Sequence, residues 1–172
     1  MAMAAIMGAA ECLNPTYEEA KKRSDWSKWE EAMKTELTSL EKNGTWSVVE
    51  RLQGANIVDS KWVLHIKKNA AGEVEKYKGR LVARGFTQIH GIDYYETYAP
   101  VARLASFQLL ITMANRNKWP LDSFDFDSAY LNSVLPDDVV IYLKQPKGYQ
   151  KDDRKKFVLR LHKALYGLKQ GA

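Results

Sequence analysis

The chain has 172 residues, is 45% hydrophobic and 27% charged, and carries a net charge of +5. That length fits one domain or one lobe of a larger one, and the composition excludes a chain that is disordered throughout. With a single cysteine, Cys12, no internal disulfide and no zinc-type cysteine–histidine cluster exist, which predicts an intracellular protein. No apolar run approaches the roughly 20 residues that a membrane-spanning helix needs.

Residues 1–13 are a leader to which the sequence assigns no role. They are mildly apolar, but they lack a basic region, and Gly8 and Glu11 interrupt them. A signal peptide is therefore not expected.

Two helices are predicted next. Thr16 to Glu19 reads TYEE, a capping-box pattern that predicts a short helix. A longer helix follows, with Asp25 as its expected N-cap and Asn43-Gly44 as its stop. Its apolar stripe predicts core packing and consists of Trp26, Trp29, Met33, Leu37 and Leu40.

A β-hairpin is predicted from residue 60 to residue 86. Residues 60–68 alternate apolar and polar, 69–73 have turn chemistry around Gly72, and 74–86 form the return strand. Residues 60–85 contain seven basic and two acidic residues. Their difference equals the net charge of +5 of the whole chain. The basic residues are Lys61, Lys67, Lys68, Lys76, Lys78, Arg80 and Arg84. Two interpretations stay open, a phosphate-binding surface or a hairpin whose lysines discourage aggregation.

The remaining elements complete an α+β pattern with an antiparallel sheet. Residues 87–103 read as an ordered loop packed on the body, and 104–119 as a helix. Leu104, Phe107, Leu110, Ile111 and Ala114 share one face of that helix. Further strands are predicted at 45–50, 121–126, 139–146 and 156–162.

The stretch 122-DSFDFDSAYLNS-133 gathers three aspartates in a segment that otherwise reads as buried. Asp125 lies between two phenylalanines, so it points away from the face that those rings bury. A hard cation such as Mg²⁺ would stabilise a carboxylate there. A strand-to-helix turn capped by Asp127 or Ser128 explains the same residues, and residue types alone leave both interpretations open.

Several blocks of the chain resemble the reverse transcriptase of Ty1/copia-type retrotransposons. They follow one another in the family's order and spacing, from about Asn14 to the end. The blocks are 43-NGTW, 61-KWVLHIKKNAAGEVEKYKGRLVARGFTQ, 91-GIDYYETYAPVARL, 122-DSFDFDSAYLN, 141-IYLKQPKGY and 164-ALYGLKQ.

The resemblance implies a reverse-transcriptase-like fingers and palm architecture over residues 14–172, with an antiparallel sheet, packed helices and a palm truncated at the C-terminus. Residues 60–86 would be the fingers hairpin, and residues 121–132 the first catalytic motif of the palm. It also implies a template-primer of RNA and DNA, deoxynucleotides, and Mg²⁺ or Mn²⁺ as partners and cofactors.

The same resemblance assigns roles to single residues. Asp125 would be the first catalytic, metal-binding aspartate, with the Phe126 carbonyl helping to hold a metal. Ser128 and Ala129 would offer backbone N–H groups to the nucleotide phosphates, and Tyr130 would select deoxynucleotides.

The fingers cations have roles by the same resemblance. Lys78 or Arg80 would lie over the triphosphate, and which of them makes contact stays open. The other basic residues of the hairpin are expected to bind nucleic acid: Lys61, Lys67, Lys68, Lys76 and Arg84.

Some features depart from the family. Position 133 is Ser where Gly is usual, and position 79 is Gly where Ala is common. No Tyr-x-Asp-Asp sequence is present, and Asp137-Asp138 and Asp152-Asp153 read as exposed turns.

The missing aspartate pair leads us to expect that this chain alone does not polymerise DNA. A non-catalytic nucleic-acid-binding or interaction module derived from a retrotransposon is the alternative. Self-association through an unfinished sheet edge is also expected, which sedimentation at high concentration would test.

Overall fold

The fold is known from a computed structural model that describes residues 13–95, 97, 102–123, 133–136, 138–149 and 156–171. The helices are α1 (Tyr17–Lys21), α2 (Trp26–Lys42) and α3 (Leu104–Asn117). The strands are β1 (Trp46–Glu50), β2 (Ile57–Val58), β3 (Ser60–Lys68), β4 (Val74–Ala83), β5 (Tyr142–Leu143) and β6 (Phe157–Leu161). Short 3₁₀ turns cover Gly85–Thr87 and Lys169–Gly171.

The strands form two sheets. β3 and β4 pair antiparallel as a two-stranded sheet, and the other four strands form a sheet in the order β1-β6-β5-β2. β6 pairs antiparallel with both of its neighbours, whereas β2 pairs parallel with β5. The predicted α+β class is confirmed, with one parallel pair that the sequence did not predict.

The two N-terminal helices begin where the sequence predicts. Thr16 and Glu19 exchange the two hydrogen bonds of a capping box, one from each backbone N–H to the other side chain. Asp25 stands at the N-cap position of α2, but its side chain makes no capping hydrogen bond. Gly44 has φ +62°, the left-handed conformation expected of the predicted helix stop.

The core lies between α2, the hairpin and the four-stranded sheet. Trp29, Met33 and Leu40 of the predicted α2 stripe are buried, and Trp26 and Leu37 pack at its margin. The hairpin contributes one face, since alternate side chains of each strand point the same way. The buried hairpin side chains are Trp62, Leu64, Ile66, Leu81 and Ala83.

α3 is helical as predicted but is not packed as predicted. Of its expected face, only Ala114 is buried, while Leu104 is 70% exposed and Phe107 and Leu110 are exposed as well. The helix ends at Lys118, whose φ of 56° is left-handed, before Pro120. No helix in the described part of the chain is long and apolar enough to cross a membrane.

The strands predicted after α3 are shorter or lie outside the described residues. β5 takes only two residues of the predicted 139–146, and after it Lys147 bonds to Glu18 of α1 and Tyr149 to Glu41 of α2. β6 falls within the predicted 156–162. Residues 121–123 are not in a strand, and 124–132 lie outside the described residues.

Asp25 joins the start of α2 to the hairpin. The Arg23 guanidinium donates two hydrogen bonds to its carboxylate, at 2.9 and 3.1 Å, and the Tyr77 hydroxyl donates a third at 3.1 Å. The bonds from Arg23, and to a smaller extent that from Tyr77, hold the pKa of the Asp25 carboxyl below its usual value. A carboxyl with a depressed folded pKa stabilises the fold above its unfolded pKa.

We expect Asp25→Asn to lower the free energy of unfolding by about 1–3 kcal/mol near neutral pH, because charge-assisted hydrogen bonds are removed. Urea unfolding measured from neutral to acidic pH checks this. The difference in the free energy of unfolding between the wild type and Asp25→Asn should disappear as the pH falls through the depressed pKa. The Asp25 carboxyl of the folded wild type is then protonated. Asp122→Asn, at an exposed position, is the matched control. Parallel pH profiles for the wild type and Asp25→Asn would contradict the prediction.

Candidate nucleic-acid interface

The pairing of β3 with β4 places most of the hairpin cations on one surface. Trp62 lies opposite Leu81 and Leu64 opposite Gly79, and these residues face α2. The alternate residues of both strands therefore face away from the core. Besides Val63 and Val82, they form the basic face, which consists of Lys61, His65, Lys67, Lys76, Lys78 and Arg80, all of them exposed.

Two lysines lie directly opposite each other on the basic face. Lys67 is the cross-strand partner of Lys76, and His65 is the partner of Lys78. Like charges in directly opposed positions destabilise a sheet. Glu75 offsets part of this cost through an ion pair with Lys67 at 3.1 Å, but both side chains are well exposed and the pair is weak. A polyanion lying across the strands would remove the repulsion.

The two predicted triphosphate cations lie at different places on this face. Lys78 lies at its centre, opposite His65. Arg80 lies nearer the base of the hairpin, with its Cζ 5.4 Å from the ring centroid of Tyr166. Both cations also act on Glu36 of α2: burial raises the pKa of its carboxyl, and the Leu81 backbone N–H and the charges of Arg80 and Lys78 offset part of that rise. Which cation contacts a triphosphate stays a prediction.

Lys68 and Arg84 are separated from the basic face. Lys68 lies opposite Val74, beyond the register irregularity that follows Lys67. Arg84 follows the end of β4, where its Nη1 lies 3.2 Å from Asp59 Oδ2. The sequence predicted all seven cations as one surface, because alternation cannot reveal a bulge or the end of a strand.

The predicted catalytic segment cannot be placed on this framework. Asp125, Phe126, Ser128, Ala129 and Tyr130 lie outside the described residues. Among the residues that are described, no group of three or more His, Cys, Asp or Glu side chains could hold a metal ion.

A buried polar network holds the base of the hairpin, and the sequence did not predict it. Asp93 is 2% exposed and accepts hydrogen bonds from Asn56 Nδ2 and, at 2.7 Å, from the Ile89 N–H. Buried Gln88 donates to Gln170 Oε1 at 2.9 Å and accepts from the Lys169 N–H at 2.8 Å. This network connects residues 87–93 to residues 166–171, which we call the C-terminal turn. Polar residues in a loop give no periodic signal, so only their distant partners reveal their role.

The C-terminal turn also contacts the backbone of the hairpin directly. The Ala83 N–H donates to Tyr166 O at 2.8 Å, and the Gly85 N–H donates to Gly167 O at 3.0 Å. Gly167 has φ +84°, and a Cβ there would lie 2.3 Å from Ala83 O. A residue with a side chain does not fit at this position.

The chain matches the family described as "Reverse transcriptase (RNA-dependent DNA polymerase)" over residues 43–172, which include the hairpin and the C-terminal turn. The chain belongs to the reverse transcriptase family. The chain is of the copia type. The Pol polyprotein from transposon RE1 of Arabidopsis thaliana is 39% identical to it over 144 residues, which are 83% of this chain and 10% of that protein. That from transposon TNT 1-94 of Nicotiana tabacum is 37% identical over 139 residues, 81% of this chain and 10% of that protein.

A much shorter protein is also similar to this reverse transcriptase chain. An uncharacterized mitochondrial protein of Arabidopsis thaliana is 40% identical over 88 residues, which is 51% of this chain and 52% of that protein. No solved structure matches the chain. The chain spans about a tenth of the length of the two Pol polyproteins described above.

In this reverse transcriptase chain, we expect Gly167→Ala to destabilise the fold by about 1–3 kcal/mol or more, because the new Cβ meets the backbone of β4. Thermal or urea unfolding measures this. Gly54→Ala is a matched control, since Gly54 has φ +83° but no atom lies within 4 Å of the place that its Cβ would take. It bears the cost of the left-handed conformation without the clash. Equal destabilisation in the two variants would show that the close approach contributes nothing.

Proposed function

We propose that the chain is the fingers and partial palm of a copia-type RNA-directed DNA polymerase, and that its basic face binds the nucleic-acid backbone. The observation that carries the proposal is the direct opposition of Lys67 to Lys76 on a surface that also holds Lys61, Lys78 and Arg80. A hairpin that needed lysines only for solubility would gain from alternating signs across the strands. An excess of cations on one surface is instead suited to phosphates.

The packing beneath the hairpin supports this role. Trp62, Leu64, Ile66 and Leu81 hold its inner surface against the core, so the cations project from a supported sheet. At the base, the Gln88–Asp93 network fixes the hairpin to the C-terminal turn. A binding surface whose elements are fixed beforehand loses less conformational entropy when its ligand binds.

The first test removes the opposed lysines. We expect Lys67→Ala with Lys76→Ala to weaken binding of a labelled RNA–DNA duplex or single strand. The slope of log affinity against log salt should also fall, by roughly 0.7 for each phosphate of a single strand that the protein no longer neutralises. Fluorescence anisotropy over a salt series measures both quantities.

A charge-matched control separates local contact from net charge. Lys34→Ala with Lys42→Ala removes two exposed lysines from α2, so it lowers the net charge equally and leaves the basic face intact. The proposal predicts a much smaller decrease in affinity for this control. Equal decreases in the two double variants would show that the chain binds through its overall charge, and the proposal would fail.

The catalytic part of the proposal follows from the resemblance. Asp125 would be the first metal-binding aspartate, with the Phe126 carbonyl beside it, Ser128 and Ala129 at the nucleotide phosphates and Tyr130 selecting deoxynucleotides. The family uses divalent metal ions, for which the described residues supply no ligand group. These 172 residues also contain no Tyr-x-Asp-Asp sequence, so we propose that they do not polymerise DNA unaided.

Primer extension on an RNA template tests this, with deoxynucleotides and Mg²⁺ or Mn²⁺, beside Asp125→Ala. We expect no extended primer with either protein, because a two-metal site that lacks one of its acids holds both ions poorly. Extension by the wild type that is abolished in Asp125→Ala would contradict the proposed inactivity and support the role of Asp125. Metal-dependent binding that is abolished in Asp125→Ala would support a polymerase site. Salt-sensitive binding that ignores both metal and Asp125 would favour a non-catalytic nucleic-acid-binding module.

A further inference from the structure

Phe86 is unusual in its exposure. Its side chain is 75% exposed, the largest value among the large hydrophobic residues in the described part of the chain. An aromatic ring in water forgoes the stabilisation that its burial would bring.

The exposure of Phe86 is fixed by its neighbours. Gly85 is buried, and its N–H donates to Gly167 O at 3.0 Å. On the other side, the Thr87 hydroxyl donates to Arg84 O at 2.8 Å and accepts from the Asp59 N–H at 3.2 Å. Both flanking residues are therefore anchored, and the turn presents the ring to solvent.

Arg84 packs against the ring. Its Cζ lies 5.3 Å from the ring centroid of Phe86, within the range of a cation–π contact. Its guanidinium also bonds to Asp59, with 3.2 Å between Nη1 and Oδ2, so its orientation is fixed from two sides. Even with Arg84 in contact, most of the ring remains open to solvent.

Arg84 also lines an adjoining groove of about 540 Å³. Its charged residues are four cations, Lys61, Arg84, Lys144 and Lys147, and two carboxylates, Asp59 and Glu18. We call it the cation groove. Asp59 bonds to Arg84 and lies 4.0 Å from Lys144 Nζ, and Glu18 pairs with Lys147. The lining keeps a net positive charge, and Lys61 enters no ion pair among the described residues.

We propose that Phe86 is a stacking platform for an unpaired nucleobase, with the phosphates next to that base lying in the cation groove. Proteins that bind single strands combine these two features, a positive groove for the backbone and aromatic rings for the bases. The net positive charge of the groove selects a polyanion as the occupant. The inference rests on the proposed function and adds the class of ligand, a single strand with accessible base faces.

A base inside a duplex has both faces covered by its neighbours. A platform that works by stacking therefore favours unpaired nucleotides, whereas contacts with phosphate alone do not need a base. The contribution of Phe86 can therefore be measured separately from contacts with phosphate.

The experiment measures fluorescence anisotropy of the full chain with a labelled oligothymidylate and with an abasic oligomer of the same length. The two probes carry the same phosphates, and only one carries bases. We expect Phe86→Ala to weaken binding of oligothymidylate roughly five- to a hundredfold. It should leave binding of the abasic oligomer unchanged, and the salt slope should not change because the same phosphates stay neutralised.

Two further variants test the chemistry of the platform. Phe86→Trp keeps an aromatic face and should retain affinity for oligothymidylate. Phe86→Leu keeps apolar bulk without that face and should weaken binding as Phe86→Ala does. Circular dichroism should be unchanged in all three variants, because the side chain is exposed.

The outcomes separate this inference from the proposed function. Equal effects of Phe86→Ala on both probes, or full affinity in Phe86→Leu, would overturn the stacking platform and leave nucleic-acid binding by the basic face intact. Failure of the wild-type chain to bind either probe at low salt would overturn the proposed function and the stacking platform together.

Discussion

The register of β3 against β4 is the constraint on which the rest of the structure depends. With Trp62 opposite Leu81 and Lys67 opposite Lys76, the large buried side chains of the hairpin meet the core and the cations meet solvent. A slip of one residue would exchange the two faces and bury the lysines. The repulsion between opposed cations is tolerated because burial of the other face favours the same register. The irregularity after Lys67 is confined to the tip, where no core side chain depends on it.

A second constraint acts where the hairpin ends. Beyond Ala83, backbone contacts with Gly167 and the hydrogen bonds of Gln88 and Asp93 replace apolar packing. Buried polar groups are costly unless they are satisfied, so such a network favours one arrangement over its alternatives. It also fixes the turn that carries Phe86.

The sequence predicted those parts of the fold that have a local signal. The α2 stripe, the capping box at Thr16, the stop at Gly44 and the alternation of β3 all depend on neighbours within a few residues, and each was correct. The Asp25 side chain was predicted as a cap, but it bonds to Tyr77, 52 positions away. The β2–β5 pair has too few residues for a pattern, and Gln88 meets Gln170 across 82 positions. Contacts of that separation leave no trace in local periodicity.

α3 shows that a correct helix prediction does not predict packing. Its apolar residues Leu104, Phe107, Leu110, Ile111 and Ala114 share one side of the helix, and a polar group lies on another side. Its hydrophobic spacing therefore identifies one apolar face, but spacing alone does not say whether another element covers that face. In the described arrangement Ala114 is the residue that is buried.

In the candidate site, too, some positions follow from local sequence and others from distant contacts. The cations of the basic face follow from alternation, and the resemblance gives them a ligand. Arg84 was counted with them because its charge has the right sign. Its position is set by a hydrogen bond to Asp59, 25 residues earlier, and by its contact with the Phe86 ring. Charge composition therefore predicts that a surface is basic, whereas only the fold tells which cations lie on a flat strand surface and which lie beside an exposed ring. Phosphates need only a surface of cations, whereas stacking of a base needs an exposed ring beside the cations. This is why the hairpin face and the Phe86 turn are expected to respond to different features of the same nucleic acid.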